Sequence, residues 1–178
     1  MDKFQKLHQI ISDFNSKVTL SKMITCVSVV AVCFFLSTGF WNHFSISRTD
    51  SAGSHFFWYT KDFSPSDISQ NKYIMFSLIT KFEPLCSPPR GCKVIKRVAC
   101  DEGSKIQTIG KEFYCNGAFL GKAKNKSKKG HLLNSFAYNG VIPKGYAFMC
   151  NDHPDSYDSR YYGLVKKDYI TAMVTPLF

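Results

Sequence analysis

The sequence predicts an all-β ectodomain carried behind one N-terminal transmembrane helix, and three observations lead there. Residues 23–41, M-I-T-C-V-S-V-V-A-V-C-F-F-L-S-T-G-F-W, hold no charged side chain. At about 1.5 Å of rise per residue they make roughly 28 Å of helix, close to the hydrocarbon thickness of a bilayer. Beyond them, aromatic and branched residues recur in short runs of strand length, broken by frequent turns. With 178 residues the chain is long enough for one domain and a short extra element. No internal repeat is visible.

The elements follow in order. Phe4, Leu7, Ile10, Ile11 and Phe14 recur at helical steps, which fits a short amphipathic helix over 4–19 on the inner leaflet, or a frayed tail. Lys3, Lys6, Lys17 and Lys22 outweigh Asp2 and Asp13, so residues 1–22 belong in the cytoplasm and the remainder outside. Trp41 suits the outer interface. A cleaved signal peptide fits less well, because the lead is long and S-T-G is a mediocre cleavage site. Residues 42–60 read as extended, and Ser64-Pro65-Ser66-Asp67 as a turn. Residues 72–79 and 93–100 read as strands, the second most clearly. Residues 106–120 look like two strands around Gly110 and Asn116-Gly117. Phe136, Tyr138 and Val141, then 146–149, suggest two more. Val165 and 170–174 close the domain, 42–178.

Net charge is +10, and Lys122, Lys124, Lys126, Lys128 and Lys129 crowd into G-K-A-K-N-K-S-K-K-G. Such a run is a solvated loop, or one drawn to anionic lipid or an acidic partner. Nucleic acid is not expected, since no aromatics interleave with the charges. Cys26 and Cys33 fall in the anchor. Cys86, Cys92, Cys100, Cys115 and Cys150 lie outside, in an oxidising compartment. Short loops suggest Cys86–Cys92 and Cys100–Cys115, with Cys150 left over, although spacing alone does not fix connectivity. A zinc site from Cys86, Cys92, Cys150 and His153 lacks a paired C-x-x-C knuckle.

Alternation along K-V-I-K-R-V-A-C puts Lys96 on the more apolar face with Val94, Val98 and Cys100. In water about one lysine in 2,500 is neutral at pH 7. Burial penalises the ammonium and lets the amine act as a base towards a serine. The alternative for Lys96 is to snorkel to the surface. Serines 45, 47, 51 and 54 follow the anchor. His55 and His153 sit in no serine-protease signature, which argues against a Ser–His–Asp triad. The aromatic run 56–59 reads equally as strand core or as a seat at the bilayer surface.

Ser156, Asp158, Ser159, Arg160, Tyr161 and Gly163 match the pattern S-x-D-S-R-Y-x-G. That block resembles the last motif of the signal peptidase I family. Its lead-in, I-P-K-G-Y-A-F, resembles the family's P-x-G-x-x-F, and I-K-R-V around Lys96 looks like the family's lysine block. Thr49-Asp50-Ser51-Ala52-Gly53-Ser54-His55 can be laid on the T-x-S-x-P-x-G-like motif of the conjugative-transfer (TraF-type) branch. Thr49 and Ser51 match, while Gly53 replaces the proline and His55 the later glycine. The short sequence between Lys96 and Ser156 is also like that branch. The fold implied is a signal-peptidase-like ectodomain of coiled antiparallel sheets.

The resemblance implies a Ser51/Lys96 dyad, with Ser54 the lesser candidate for nucleophile. The Ser51 N–H and the Thr49 hydroxyl would serve the oxyanion. Ser156 would orient Lys96, and an Asp158–Arg160 pair would brace the site. No metal or cofactor is required. The expected protein is a single-pass inner-membrane endopeptidase with its catalytic domain in the periplasm. Its substrate would be a pre-pilin or another precursor with small residues near the cut, released as a linear or cyclic product. A general type I signal peptidase is the alternative. A non-enzymatic anchored assembly factor is an alternative of another class.

Overall fold

The apolar run folds as one helix. In the computed structural model, which describes residues 4–6, 19–41, 43–47, 50–79 and 91–177, it forms α1, Leu20–Trp41. The charge-free stretch 23–41 lies within α1, which extends back to Leu20 because Lys22 is a good helix former. The stretch Leu20–Gly39 is long and apolar enough to cross a membrane, with a mean hydropathy of 2.0. Most of the amphipathic helix expected over 4–19 lies outside the described residues. The chain divides into two units, Met1–His43 and Phe44–Phe178.

The second unit is antiparallel β throughout its described strands. A seven-stranded sheet has the order β1-β2-β11-β3-β4-β9-β10. Its members are β1 (Phe44–Ile46), β2 (Phe56–Thr60), β3 (Tyr73–Leu78), β4 (Cys92–Cys100), β9 (Tyr146–Met149), β10 (Val165–Lys166) and β11 (Ile170–Pro176). A four-stranded sheet has the order β7-β6-β5-β8. It comprises β5 (Lys105–Ile109), β6 (Glu112–Cys115), β7 (Ala118–Lys122) and β8 (Gly140–Val141). A short helix, α2 (Ser159–Tyr162), follows β9.

Three places differ from the sequence reading. The stretch 42–60 is two strands separated by a 3-10 turn, Asp50–Ala52. Residues 105–122 form three strands rather than two. Gly110 at φ 60°, then Asn116 and Gly117 at φ 49° and 86°, are the left-handed positions that tight hairpins need, so two turns divide three strands. Phe136 and Tyr138 stack in irregular chain, their centroids 5.9 Å apart, and only Gly140–Val141 pairs as a strand.

Alternation sorts the core. Ile74 and Phe76 of β3 enter a cluster with Val98, Ala147, Met149, Val165 and Ile170. Met75, from the opposite face, joins Ala52, Phe57, Ala172 and Val174. Each fully buried side chain of this kind contributes about 1.5–3 kcal/mol. In the aromatic run, Phe57 is buried while Phe56 and Trp58 stand on the open face. The third cluster, around Ile106, Phe113 and Phe148, lies between the sheets.

β4 pairs with β3 along most of its length, from Cys92↔Leu78 to Arg97↔Tyr73. On its other edge it meets β9 only at Val98↔Met149 and, past a bulge, Cys100↔Phe148. Among the described residues, the edge at 95–97 is therefore left without a strand partner. The Cys100–Cys115 disulfide joins β4 to β6 and so ties the two sheets together, as the short loop suggested. Cys92 is also disulfide-bonded, and its expected partner, Cys86, lies outside the described residues. Cys150 keeps a free thiol. The Cys100–Cys115 bridge spans 15 residues. Replacing both cysteines with alanine should lower the unfolding free energy by about 3 kcal/mol, read from urea denaturation.

Candidate active site

Lys96 is the charged side chain that β4 turns inward. Only 5% of it is exposed. Val94 and Val98 flank it at the same phase of the strand, so backbone alternation forces the amine into the interior. There Nζ donates to Ser156 Oγ at 2.9 Å. Burial pushes its pKa below the usual lysine value. The Asp158 charge works against that shift and Arg160 works with it. Among the described residues no carboxylate forms an ion pair with Lys96. A neutral amine bonded this way keeps its lone pair for a second hydroxyl.

Asn151, 2% exposed, supplies what β4 lacks on its open edge. Its Oδ1 accepts from the Arg97 N–H at 2.8 Å, and its Nδ2 donates to the Ile95 carbonyl at 3.4 Å. The two bonds bracket Lys96 and stand in for a missing strand. Sequence reasoning missed this residue. Its one signal was its position at the head of the N-D-H-P-D-S block.

Asp158 and Arg160 form a bidentate pair, Nε to Oδ1 and Nη2 to Oδ2, both 2.8 Å. Asp158 also caps α2 by accepting from the Arg160 N–H. Burial alone would push the Arg160 pKa down, but the Asp158 carboxylate outweighs it and holds the guanidinium above its ordinary value. The remaining guanidinium protons reach the carbonyls of Ser156 (3.2 Å), His153 (3.4 Å) and Lys122 (3.3 Å). Gly121 permits the last contact, since a Cβ there would stand 2.9 Å from Arg160 Nη1. One ion pair thus orders the loop that carries Ser156 and docks it on β7. Cys150 lies beside the pair, with its Sγ towards the Leu120 carbonyl at 3.5 Å. Burial pushes its thiol pKa up to about 12.

The candidate serines separate by what their chain does. Ser51 is half-buried in the Asp50–Ala52 turn, which lies against β4. Ala52, next along, packs into the cluster that Ile95 adjoins. Ser54 is buried and committed to its own turn: its Oγ donates to the Phe56 carbonyl at 2.9 Å and accepts the Phe56 N–H at 3.1 Å. Ser45 lies within β1, paired with Phe57. Thr49 falls outside the described residues. Nδ1 of His55 lies 3.2 Å from the Ser47 carbonyl, and Nδ1 of His153 accepts from the Asp155 N–H at 3.1 Å. In both rings the nitrogen that a triad carboxylate would hold faces backbone instead.

A comparison with known families resolves what this arrangement belongs to. Residues 17–178 match the family model described as "Signal peptidase, peptidase S26". The chain belongs to that family. The protein is accordingly a serine peptidase of the signal peptidase type, and the non-enzymatic reading is set aside. A crystal structure of a signal peptidase I from Enterococcus faecalis V583 is 25% identical and covers 60% of this chain and 96% of that chain, at a TM-score of 0.39. No curated protein matches the sequence.

Removing Arg160 from this peptidase would leave Asp158 buried without its counter-ion. Arg160→Ala should cost about 3–5 kcal/mol in urea unfolding. Asn151→Ala frees two backbone groups and should cost about 1–3 kcal/mol. It should lower kcat more than it raises KM, because it loosens the strand beneath Lys96 rather than a substrate contact.

Proposed function

We propose that this signal peptidase relative cuts its precursor with a Ser51/Lys96 dyad and that the precursor is a conjugative pilin. The observation that carries the dyad is the Lys96 amine, buried, with no ion-paired carboxylate among the described residues, and held by Ser156 on a strand against which the Ser51 turn lies. Neutral Lys96 takes the proton from Ser51 Oγ as Oγ attacks the carbonyl carbon. The Ser51 N–H and the Thr49 hydroxyl serve the oxyanion. Lys96 then returns the proton to the leaving amine as the C–N bond breaks, leaving an acyl-enzyme. Water releases a linear product, and an amine of the substrate itself releases a ring.

The pilin reading rests on Thr49 and Ser51 in the conjugative-type motif. The separation of 60 residues between Lys96 and Ser156 also supports it, since it leaves little space for a large insert. Residues 1–22 lie in the cytoplasm, 23–41 cross the bacterial inner membrane, and 42–178 form the periplasmic peptidase domain. Phe56 and Trp58 on the open face of β2 suit a site at the bilayer surface. The substrate adds as a strand, with Ala-like side chains in shallow pockets. A general type I signal peptidase would use the same chemistry on broader substrates. Complementation of a host depleted of its own signal peptidase separates the two. Mass spectrometry of a co-expressed pre-pilin reports cutting and ring closure together.

Ser51→Ala and Lys96→Met should each lower cleavage by at least about 10³-fold. Full activity in either would overturn that assignment. In the wild type, kcat/KM should rise with pH through the lowered Lys96 pKa, because only the neutral amine is a base. Stability carries the same sign. Between the lowered folded pKa and the unfolded value the unfolded chain binds more protons, so stability rises with pH across that window. Lys96→Met should remove this slope and raise Tm most at the low-pH end.

A further inference from the structure

An open cleft of about 710 Å³, lined by neither Ser51 nor Lys96, lies between β7 with the basic loop on one side and the Asp152–Pro154 segment with Arg160 on the other. Its size falls within the range of about 300–1,000 Å³ usual for ligand sites. Three lysines line it, Lys111, Lys122 and Lys124. Lys128 reaches the same rim, because it shares the Asp155 carboxylate with Lys124. The acids close by are already engaged. Glu112 pairs with Lys122, Asp155 with Lys124 and Lys128, and Asp152 with Arg97. Two carboxylates cannot neutralise four ammonium groups, and Lys126 adds to the excess from the same loop. The wall is also apolar. Phe119 is 58% exposed there, set edge-on against Tyr114 at 5.5 Å.

We propose that this cleft is a docking site for an acidic, aromatic-bearing segment of a polypeptide. Its carboxylates would meet Lys111, Lys124 and Lys128, and a ring would pack on Phe119. The occupant is argued from charge and shape. A positive excess selects an anion, and a concave cleft holds a chain segment where a flat bilayer would touch only the protruding loop. The free edge of β7 is not available for strand addition along its length, because Cys150 Sγ and Arg160 Nη1 occupy the Leu120 and Lys122 carbonyls. Side chains rather than backbone must therefore hold the segment. Asp152, Pro154 and Arg160 of the C-terminal motif block all line the cleft, and Arg160 links it to the Lys96 site. Arg160 forms part of the cleft wall and also donates to the carbonyl of Ser156, whose hydroxyl holds Lys96. A bound segment would rest on the far side of that guanidinium.

The test is fluorescence anisotropy of a labelled peptide, F-E-F-E-E-E, added to the full-length protein in neutral detergent. The peptide has no small residue to offer as a cleavage point, so its binding is independent of the Ser51 assignment. A matched F-K-F-K-K-K peptide controls for charge. Vesicles with and without phosphatidylglycerol test an anionic lipid as the occupant. Expected are binding of the acidic peptide only, weakening with added salt, and a loss of about fivefold or more in Lys111→Ala/Lys124→Ala. Phe119→Ala should weaken binding without changing its salt dependence. Thermal unfolding of each variant checks that the fold is kept. Overturning results are equal binding of the two peptides, acidic-peptide binding unchanged in the folded double variant, no binding at all, or lysine-dependent binding to phosphatidylglycerol vesicles alone.

Discussion

A lysine amine kept dry, with no carboxylate ion-paired to it among the described residues, is the constraint on which the site depends. Burial lowers the pKa of Lys96, but a buried carboxylate nearby would undo that by stabilising the ammonium. Asp158 exerts such a pull, and Arg160 opposes it. The bidentate pair lets the structure use Asp158 to cap α2 and order the Ser156 loop while limiting its electrostatic effect on Lys96. Cys150 fits the same logic. A thiolate at that place would favour the charged lysine, yet burial raises the thiol pKa to about 12, so it remains neutral at ordinary pH.

That requirement shapes the surrounding chain. β4 must present Lys96 inward, and its edge opposite β3 must stay open there so that the Ser156 loop can approach. An open edge leaves buried backbone groups to satisfy. Asn151 does this with one amide, and the Cys150 N–H adds a bond to the Arg97 carbonyl at 3.0 Å. The same loop reaches the small sheet through Arg160 and the Lys122 carbonyl. Ser159 Oγ accepts the Met149 N–H at 2.9 Å, which fixes α2 against β9. The second sheet is thus held to β4 by the Cys100–Cys115 bridge and by polar contacts of the loop that carries Ser156.

What was legible in the sequence was whatever leaves a periodic or motif signal. The apolar span, the Lys96 strand, the inward phase of Lys96 and the Cys100–Cys115 pairing all do so. So did the bond from Lys96 to Ser156 and the Asp158–Arg160 pair, through the block that holds them. The third strand of the small sheet was missed because Ala118–Lys122 is a short edge strand with little burial and no clean alternation. The Asp50–Ala52 turn was hidden inside a run that looked extended. Asn151 left no periodic signal, only its place at the head of the N-D-H-P-D-S block, because an amide replacing ladder bonds answers a three-dimensional need. The basic loop was visible as charge, but its cleft depends on Pro154 and Arg160, remote in sequence.

Lys167 shows by contrast what suits Lys96 to the role of base proposed for it. Both lysines are almost fully buried, at 4% and 5% exposure, in the same domain. Lys167 Nζ pairs with Asp101 at 2.8 Å and with Glu102 at 3.5 Å, and donates to the Ile68 carbonyl at 3.1 Å. Its positive charge is matched by negative charge, and its role is to fasten β10 to the end of β4 and the Ile68 turn. Breaking these pairs would leave the buried ammonium without its counter-charge, so it acts as a clamp. Lys96 has a hydroxyl where Lys167 has carboxylates. Supplying a hydrogen bond without supplying a counter-charge holds an amine in place while leaving its proton loosely owned, which is the property a base beside a serine needs.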